Sequence, residues 1–268
     1  MAEALVINAA TLLTAALLLW ALGVAIAKVS FVDSVWGLAM AGLALLSWWQ
    51  PGDQGMPVTI LMAMVVAWGV RLGIHLLRRF LHKGEDKRYV KLLPSPDNRV
   101  SYALTALWKV WLLQAALIML VSSPAQVGIL AGNGVDRLSP LAWAGIALYL
   151  VGIAFEWVGD WQLARFKSDP ANDGKVMKSG LWRYTRHPNY FGDACAWWGI
   201  FAVALSIAPA VIWTLPGPIF LTFTLIKWSG AAMTEKGMRN KYGEEFAQYT
   251  QRTSAFVPMP PKSPAKST

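Results

Sequence analysis

Apolar residues fall in long runs at positions 5–27, 31–50, 58–80, 104–122 and 141–161, followed by a still longer run at 190–230. A helix rises about 1.5 Å per residue, so roughly 20 apolar residues cross a hydrocarbon core about 30 Å thick. Each of the first five runs therefore reads as one spanning helix. The sixth is long enough for two, with a break at residues 206–209 or at Pro216-Gly217-Pro218. The pattern predicts an all-α integral membrane protein of about seven transmembrane helices. Met1-Ala2-Glu3-Ala4 lacks a cationic segment and the run behind it is too long for a signal peptide, so the first helix is expected to stay in the mature protein.

The polar positions between the runs set an orientation. Lys83, Lys87, Arg88, Lys91 and Arg99 follow the third run; Arg165, Lys167, Lys175, Lys178, Arg183 and Arg186 follow the fifth; Lys236, Arg239, Lys241 and Arg252 follow the last. Cationic loops stay on the cytoplasmic side, so the N-terminus is expected outside and the C-terminus inside. The loop 124–140 offers only Arg137 and the loop 51–56 no cation, as outward loops should. No internal repeat is visible. One domain over 1–258 and a disordered Pro/Lys/Ser tail over 259–268 complete the expected organisation.

Composition narrows the function classes. Charged residues make up only 15% of the 268 positions, too few to cover a soluble surface, where about 25% is usual. In so apolar a chain the net charge of +9 reads as membrane orientation and contact with membrane lipids, not as nucleic-acid binding. One cysteine excludes a disulfide framework, and three histidines leave no Cys/His cluster for a metal.

Charge inside a span costs about 2.5–3.5 kcal/mol on insertion scales and so asks for a partner or a task. Asp33 lies near the start of the second run, Arg71 and His75 one turn apart in the third, and Glu156 and Asp160 one turn apart in the fifth. A buried Asp33–Arg71 ion pair is one reading. A neutral Asp33, held protonated by low dielectric and able to donate a hydrogen bond, is the other. The densest polar stretch runs from Asp160 to Gly192, where cations alternate with Gly, Asn and aromatic residues. That mixture suits phosphate binding with ring cover for a base, although lipid headgroups would also suit it. In Arg186-His187-Pro188-Asn189-Tyr190 the proline precedes an apolar helix, whose N-terminus favours an anion.

Gly84-Glu85-Asp86-Lys87-Arg88-Tyr89, the segment 160–167, the segment from Gly180-Leu181-Trp182 through His187-Pro188-Asn189-Tyr190 and the ending 249–258 resemble the bacterial DUF1295 branch of the steroid 5-alpha-reductase superfamily. The resemblance implies a reductase of the bacterial inner membrane that uses NADPH to saturate an activated C=C bond of a lipophilic substrate arriving from the bilayer. It also implies cofactor contacts at Asp160, Lys167, Lys175, Asn189 and Tyr242, with Arg183, Tyr184, Arg186 and His187 close by. The family's substrate-binding glutamate and tyrosine are not both matched: Asp33 is the carboxylate of the second run, and Trp68 stands where the tyrosine would fall. Tyr89 is the expected replacement donor beside Asp33. The rival resemblance is to isoprenylcysteine and phospholipid methyltransferases, which bind S-adenosylmethionine and share an Arg-His-Pro-x-Tyr turn. Their paired glutamates survive here only as Glu235 before Lys236. A lipid-binding scaffold is the third reading. No Gly-x-Gly-x-x-Gly turn of a soluble dinucleotide fold occurs.

Overall fold

The structure is a computed structural model that describes residues 1–50, 54–132, 134–228 and 230–262. Among these residues the chain is helical, and seven helices are long and apolar enough to cross a membrane: Ala2–Ile26, Val32–Trp49, Met56–Lys83, Arg99–Leu130, Pro140–Ser168, Pro188–Ile207 and Pro209–Arg252. The six apolar runs, the last long enough for two spans, thus became seven helices. We label them α1 (Ala2–Ile26), α2 (Val32–Trp49), α3 (Met56–Lys83), the short α4 (Lys87–Leu92), α5 (Arg99–Ala106), α6 (Leu113–Leu130), α7 (Pro140–Ser168), α8 (Pro188–Ile207), α9 (Pro216–Phe223) and α10 (Ala231–Arg252). A π-helical turn, Leu107–Leu112, joins α5 to α6. Local chemistry sets the ends: Pro57 opens α3, and Gly84 at φ 70° closes it with its N–H on Phe80 O.

Where the sequence suggests one domain, the chain divides into two compact units, Met1–Trp143 with Ile200–Gly217 and Ala144–Gly199 with Pro218–Thr268. In the first, α2 and α3 cross so closely that a Cβ on Gly37 would overlap Gly69 O, and one on Gly73 would meet the Leu38 side chain. Small residues at such a crossing maximise dispersion contact where no hydrophobic effect drives helices together. Beside it, Phe31, Val32, Tyr89, Tyr102 and Trp111 form an apolar cluster with Val29 and Val110.

A buried polar network ties three helices of this unit. Asn8 Nδ2 donates to Ser47 Oγ (2.7 Å) and Gln126 Oε1 (2.8 Å), Gln126 Nε2 donates to Ser122 Oγ (2.7 Å), and Gln50 Nε2 donates to Asn8 Oδ1 (3.0 Å). Asn8, Ser47 and Gln126 are fully buried. Removing one member orphans the rest, so Asn8→Leu is expected to cost about 1–3 kcal/mol. Unfolding in mixed micelles checks this: in the double variant Asn8→Leu/Gln126→Leu the two losses should fall short of their sum, and strict additivity would contradict a shared network.

In the second unit α7 and α8 also meet through glycine. A Cβ on Gly152 would approach Gly192 O and Ala196 N to 2.5 Å, and one on Gly199 would come within 2.6 Å of Gly145 O. The segment after α7 lies against α10 through Val176, Phe246 and Tyr249. Tyr249 OH donates to Trp182 O, and the Glu245 carboxylate takes both Val176 N (3.3 Å) and Lys178 Nζ (2.5 Å). Beyond α10, Arg186 N donates to Ser254 O (2.9 Å), Met259 N to Tyr184 O (3.0 Å) and Lys262 N to Arg252 O (2.9 Å). Hydrogen-bonded chain therefore continues through Lys262, past the expected start of the tail at 259. Residues 263–268 of that expectation lie outside the described residues.

Candidate functional site

In the second unit the close approach of Gly159 to Pro188 brings the polar end of α7 beside the start of α8. There Asn189 Nδ2 donates to Asp160 Oδ1 at 3.1 Å. Asn189 Oδ1 is buried and has no hydrogen-bond partner among the described residues. An amide fixed on one side by a carboxylate and open on the other is an acceptor aimed at an N–H or O–H from elsewhere, since an unmade buried bond costs about 1–3 kcal/mol.

One turn earlier Arg186 and His187 converge on a glutamate. Arg186 Nε and His187 Nε2 both lie on Glu235 Oε1, at 2.8 and 3.1 Å, and Arg186 Nη1 donates to Thr253 O (2.6 Å) and Thr250 O (3.2 Å). His187 is buried and stacks on Tyr190, 5.2 Å between centroids. Seven charged side chains place α10 beyond the apolar part of the last long helix. Burial alone would raise the Glu235 carboxyl, but hydrogen bonds from His187 and Arg186 and the guanidinium charge pull it down to about 2. Arg186 is expected from the sequence to grip a phosphate. In the structure its guanidinium also closes the end of α10, whose last-turn carbonyls carry unmet hydrogen-bonding capacity and the negative end of the helix dipole.

The remaining expected cofactor residues divide by exposure. Lys167, Lys175, Arg183 and Tyr184 are exposed at this end of the unit. Tyr242 packs on the Val176–Phe246–Tyr249 cluster with Lys241 Nζ 5.0 Å from its ring centroid. A cavity of about 500 Å³ opens in the same unit, lined by Trp161, Arg165, Phe166, Asp169 and Gly180 among others and by none of the nine expected residues.

In the first unit the structure brings Asp33 and Tyr89 together. Tyr89 OH donates to Asp33 Oδ1 at 2.6 Å, and Arg88 Nη2 lies 2.6 Å from Asp33 Oδ2 and 3.0 Å from Asp86 Oδ2. Glu85 anchors this loop by accepting from Val29 N (3.1 Å), Ser30 N (3.2 Å) and Ser30 Oγ (2.8 Å). Asp33 is thus an acceptor on both oxygens. Arg88, not Arg71, is the cation 2.6 Å from it, and the hydroxyl hydrogen of the pair belongs to Tyr89, so the carboxylate accepts where one sequence reading had it donate. Burial, and after it the Asp33 charge, push the Tyr89 hydroxyl well above its ordinary value of 10. It is a hydrogen-bond donor, not a phenolate, at neutral pH.

The family model described as "Protein of unknown function (DUF1295)" matches residues 19–253. The chain belongs to the DUF1295 family. It is 30% identical over 119 residues to 3-oxo-5-alpha-steroid 4-dehydrogenase 1 of Rattus norvegicus, covering 44% of this chain and 42% of that protein. It is 32% identical over 94 residues to Delta(14)-sterol reductase TM7SF2 of Mus musculus, covering 35% and 21%. An uncharacterized protein of Schizosaccharomyces pombe matches over 90% of this chain and 75% of its own length at 22% identity. The chain therefore spans less than half the length of the named reductases it matches. No solved structure matches it significantly. Its seven long apolar helices make this DUF1295 chain a membrane protein, and parts of it are similar to a steroid 4-dehydrogenase and a sterol reductase.

Three members of the two clusters escaped the sequence reading of this family member. Arg88 was legible only as a loop cation, Glu85 only as part of a motif, and Glu235 only as half of a methyltransferase pair. Each takes its partner from more than 45 residues away. The signal within reach was a carboxylate near the apolar start of the last segment, which an Arg-His turn would attract.

Proposed function

We propose that this protein is a membrane-embedded reductase that uses NADPH to saturate an activated C=C bond of a lipophilic substrate. The observation that carries the reading is the Asp160–Asn189 pair with its open, buried Asn189 Oδ1. That acceptor fits a carboxamide N–H or a ribose O–H of a nicotinamide nucleotide, and exposed Lys167, Lys175 and Arg183 supply cations for its phosphates. When bound, NADPH supplies a hydride. The chain's own residues hold and orient. Asp160 fixes the Asn189 amide, Glu235 holds Arg186 and His187 so that the turn before α8 keeps its shape, and Tyr89 offers a hydroxyl to a substrate carbonyl whose charge grows during reduction. The named relatives, both reductases of steroids or sterols, support the same reaction class. A bacterial inner membrane is the compartment we propose.

Asn189→Leu removes both the donor to Asp160 and the open acceptor. It is expected to weaken NADPH binding about tenfold to a hundredfold, the worth of one or two buried hydrogen bonds. Fluorescence titration of the detergent-purified chain reads this directly, with S-adenosylmethionine as the competing ligand. Unchanged NADPH affinity in the variant, or binding of S-adenosylmethionine alone, would remove the assignment.

A further inference from the structure

The cavity of about 500 Å³ in the second unit stands apart from the proposed cofactor residues. Its volume lies within the usual range of about 300–1,000 Å³ for small-molecule sites. Asp160 and Lys167 are seven residues apart and share one face of α7. Trp161 and Arg165, four residues apart, fall on another face, about 100–140° around the axis from Asp160, and Asp169 follows directly after the helix ends at Ser168. One wall is built by close approach: Gly180, at φ 61°, lies where any Cβ would strike the Gln162 amide, which is itself held by Leu181 N at 2.9 Å.

Two of the lining residues carry opposite charge. Arg165 has its guanidinium 5.6 Å from the Trp161 ring centroid. Asp169 accepts from Ala171 N (2.9 Å) and Asn172 Nδ2 (3.4 Å). Four residues apart across the end of α7, they form no ion pair with each other among the described residues. A cation and an anion lining one cavity without cancelling each other match a ligand that is itself a zwitterion.

Position supplies the rest. The cavity lies on the last turns of the candidate span Pro140–Ser168, whose Trp157 and Trp161 are 45% and 57% exposed. Exposed tryptophans at the end of a span mark the headgroup level of a bilayer. We propose that this cavity binds the phosphoethanolamine headgroup of a membrane aminophospholipid, its phosphate on Arg165 and its primary ammonium on Asp169. Phosphatidylcholine offers the same phosphate but no N–H to donate. Phosphatidylglycerol leaves Asp169 without a cation. The site is independent of the reductase reading.

The test uses the full chain in phosphatidylcholine nanodiscs doped with phosphatidylethanolamine or phosphatidylglycerol, counting by mass spectrometry the lipids retained after exchange. Phosphatidylethanolamine should be enriched about tenfold over phosphatidylcholine, the scale of one charge-assisted hydrogen bond. Arg165→Gln and Asp169→Asn should each abolish the enrichment, the asparagine keeping the local cap. NADPH affinity should stay unchanged in both, so loss of headgroup selectivity and loss of cofactor binding are separate readouts. Equal retention of the lipids, a preference for phosphatidylglycerol, or enrichment that survives both substitutions would overturn the site. Should either variant fail to fold, excess soluble phosphoethanolamine must displace the lipid from the wild type. If it binds as tightly as the lipid, the membrane source is wrong.

Discussion

Glu235→Ala is expected to cost about 3–5 kcal/mol of stability, because it leaves the Arg186 guanidinium largely buried without its counter-charge. The loss should exceed that of Glu235→Gln, which keeps a hydrogen-bond acceptor for Arg186 and His187. Denaturant titration in mixed micelles measures both; a Glu235→Ala variant within about 0.5 kcal/mol of wild type, the range of an ordinary surface change, would show that the cluster holds nothing. A pH titration gives an independent reading. The Glu235 carboxyl sits at about 2 in the folded chain against an ordinary 4.5. A depressed carboxylate contributes fully above its unfolded value and loses that contribution as pH falls from about 4.5 toward about 2. Wild type should therefore lose stability across that window more steeply than Glu235→Gln.

What the sequence made legible follows from the range of each signal. Spanning helices are local. Twenty apolar residues declare themselves wherever they lie, so the break at residues 206–209, one of two places the sequence offered, and the helix start at Pro188 were readable from neighbours along the chain. Asp33 and Tyr89 were each legible as candidates, one as a charge at a span's start and the other at a motif's end, but not as partners. That Asp33 would accept from both sides was not legible. Which residue donates depends on Arg88, and a loop cation gives no local sign that it will fold back 55 residues onto a helix start. The contacts of Arg186 were out of reach in the same way. A basic residue before a helix N-terminus gives no local sign that the last turn of α10, more than 60 residues on, lies against it. The Asp160–Asn189 pair was identified as two separate cofactor residues, and the hydrogen bond between them appears only when Gly159 and Pro188 touch.

Tyr89→Phe is expected to lower turnover about 10²–10³-fold, the usual cost of deleting one donor to a developing oxyanion. The hydroxyl is the only group the substitution removes, and the ring would keep its place among Phe31, Tyr102 and Trp111. NADPH affinity should hold, since the substitution touches none of the proposed cofactor residues. Asp33→Asn separates the two roles. An asparagine still accepts from Tyr89 OH but gives up the charge that pairs with Arg88, so turnover should fall less than in Tyr89→Phe. Single-turnover oxidation of bound NADPH against a panel of lipophilic enones reads both variants on the chemical step. The order of the two effects is the decisive quantity. A larger loss in Asp33→Asn than in Tyr89→Phe would return proton donation to the carboxylate, and would mean that the Arg88 ion pair opens before the substrate is reduced. Equal, small losses in both would move the donor elsewhere, leaving the Asp33–Tyr89–Arg88 cluster as a fastener of the loop that Glu85 anchors.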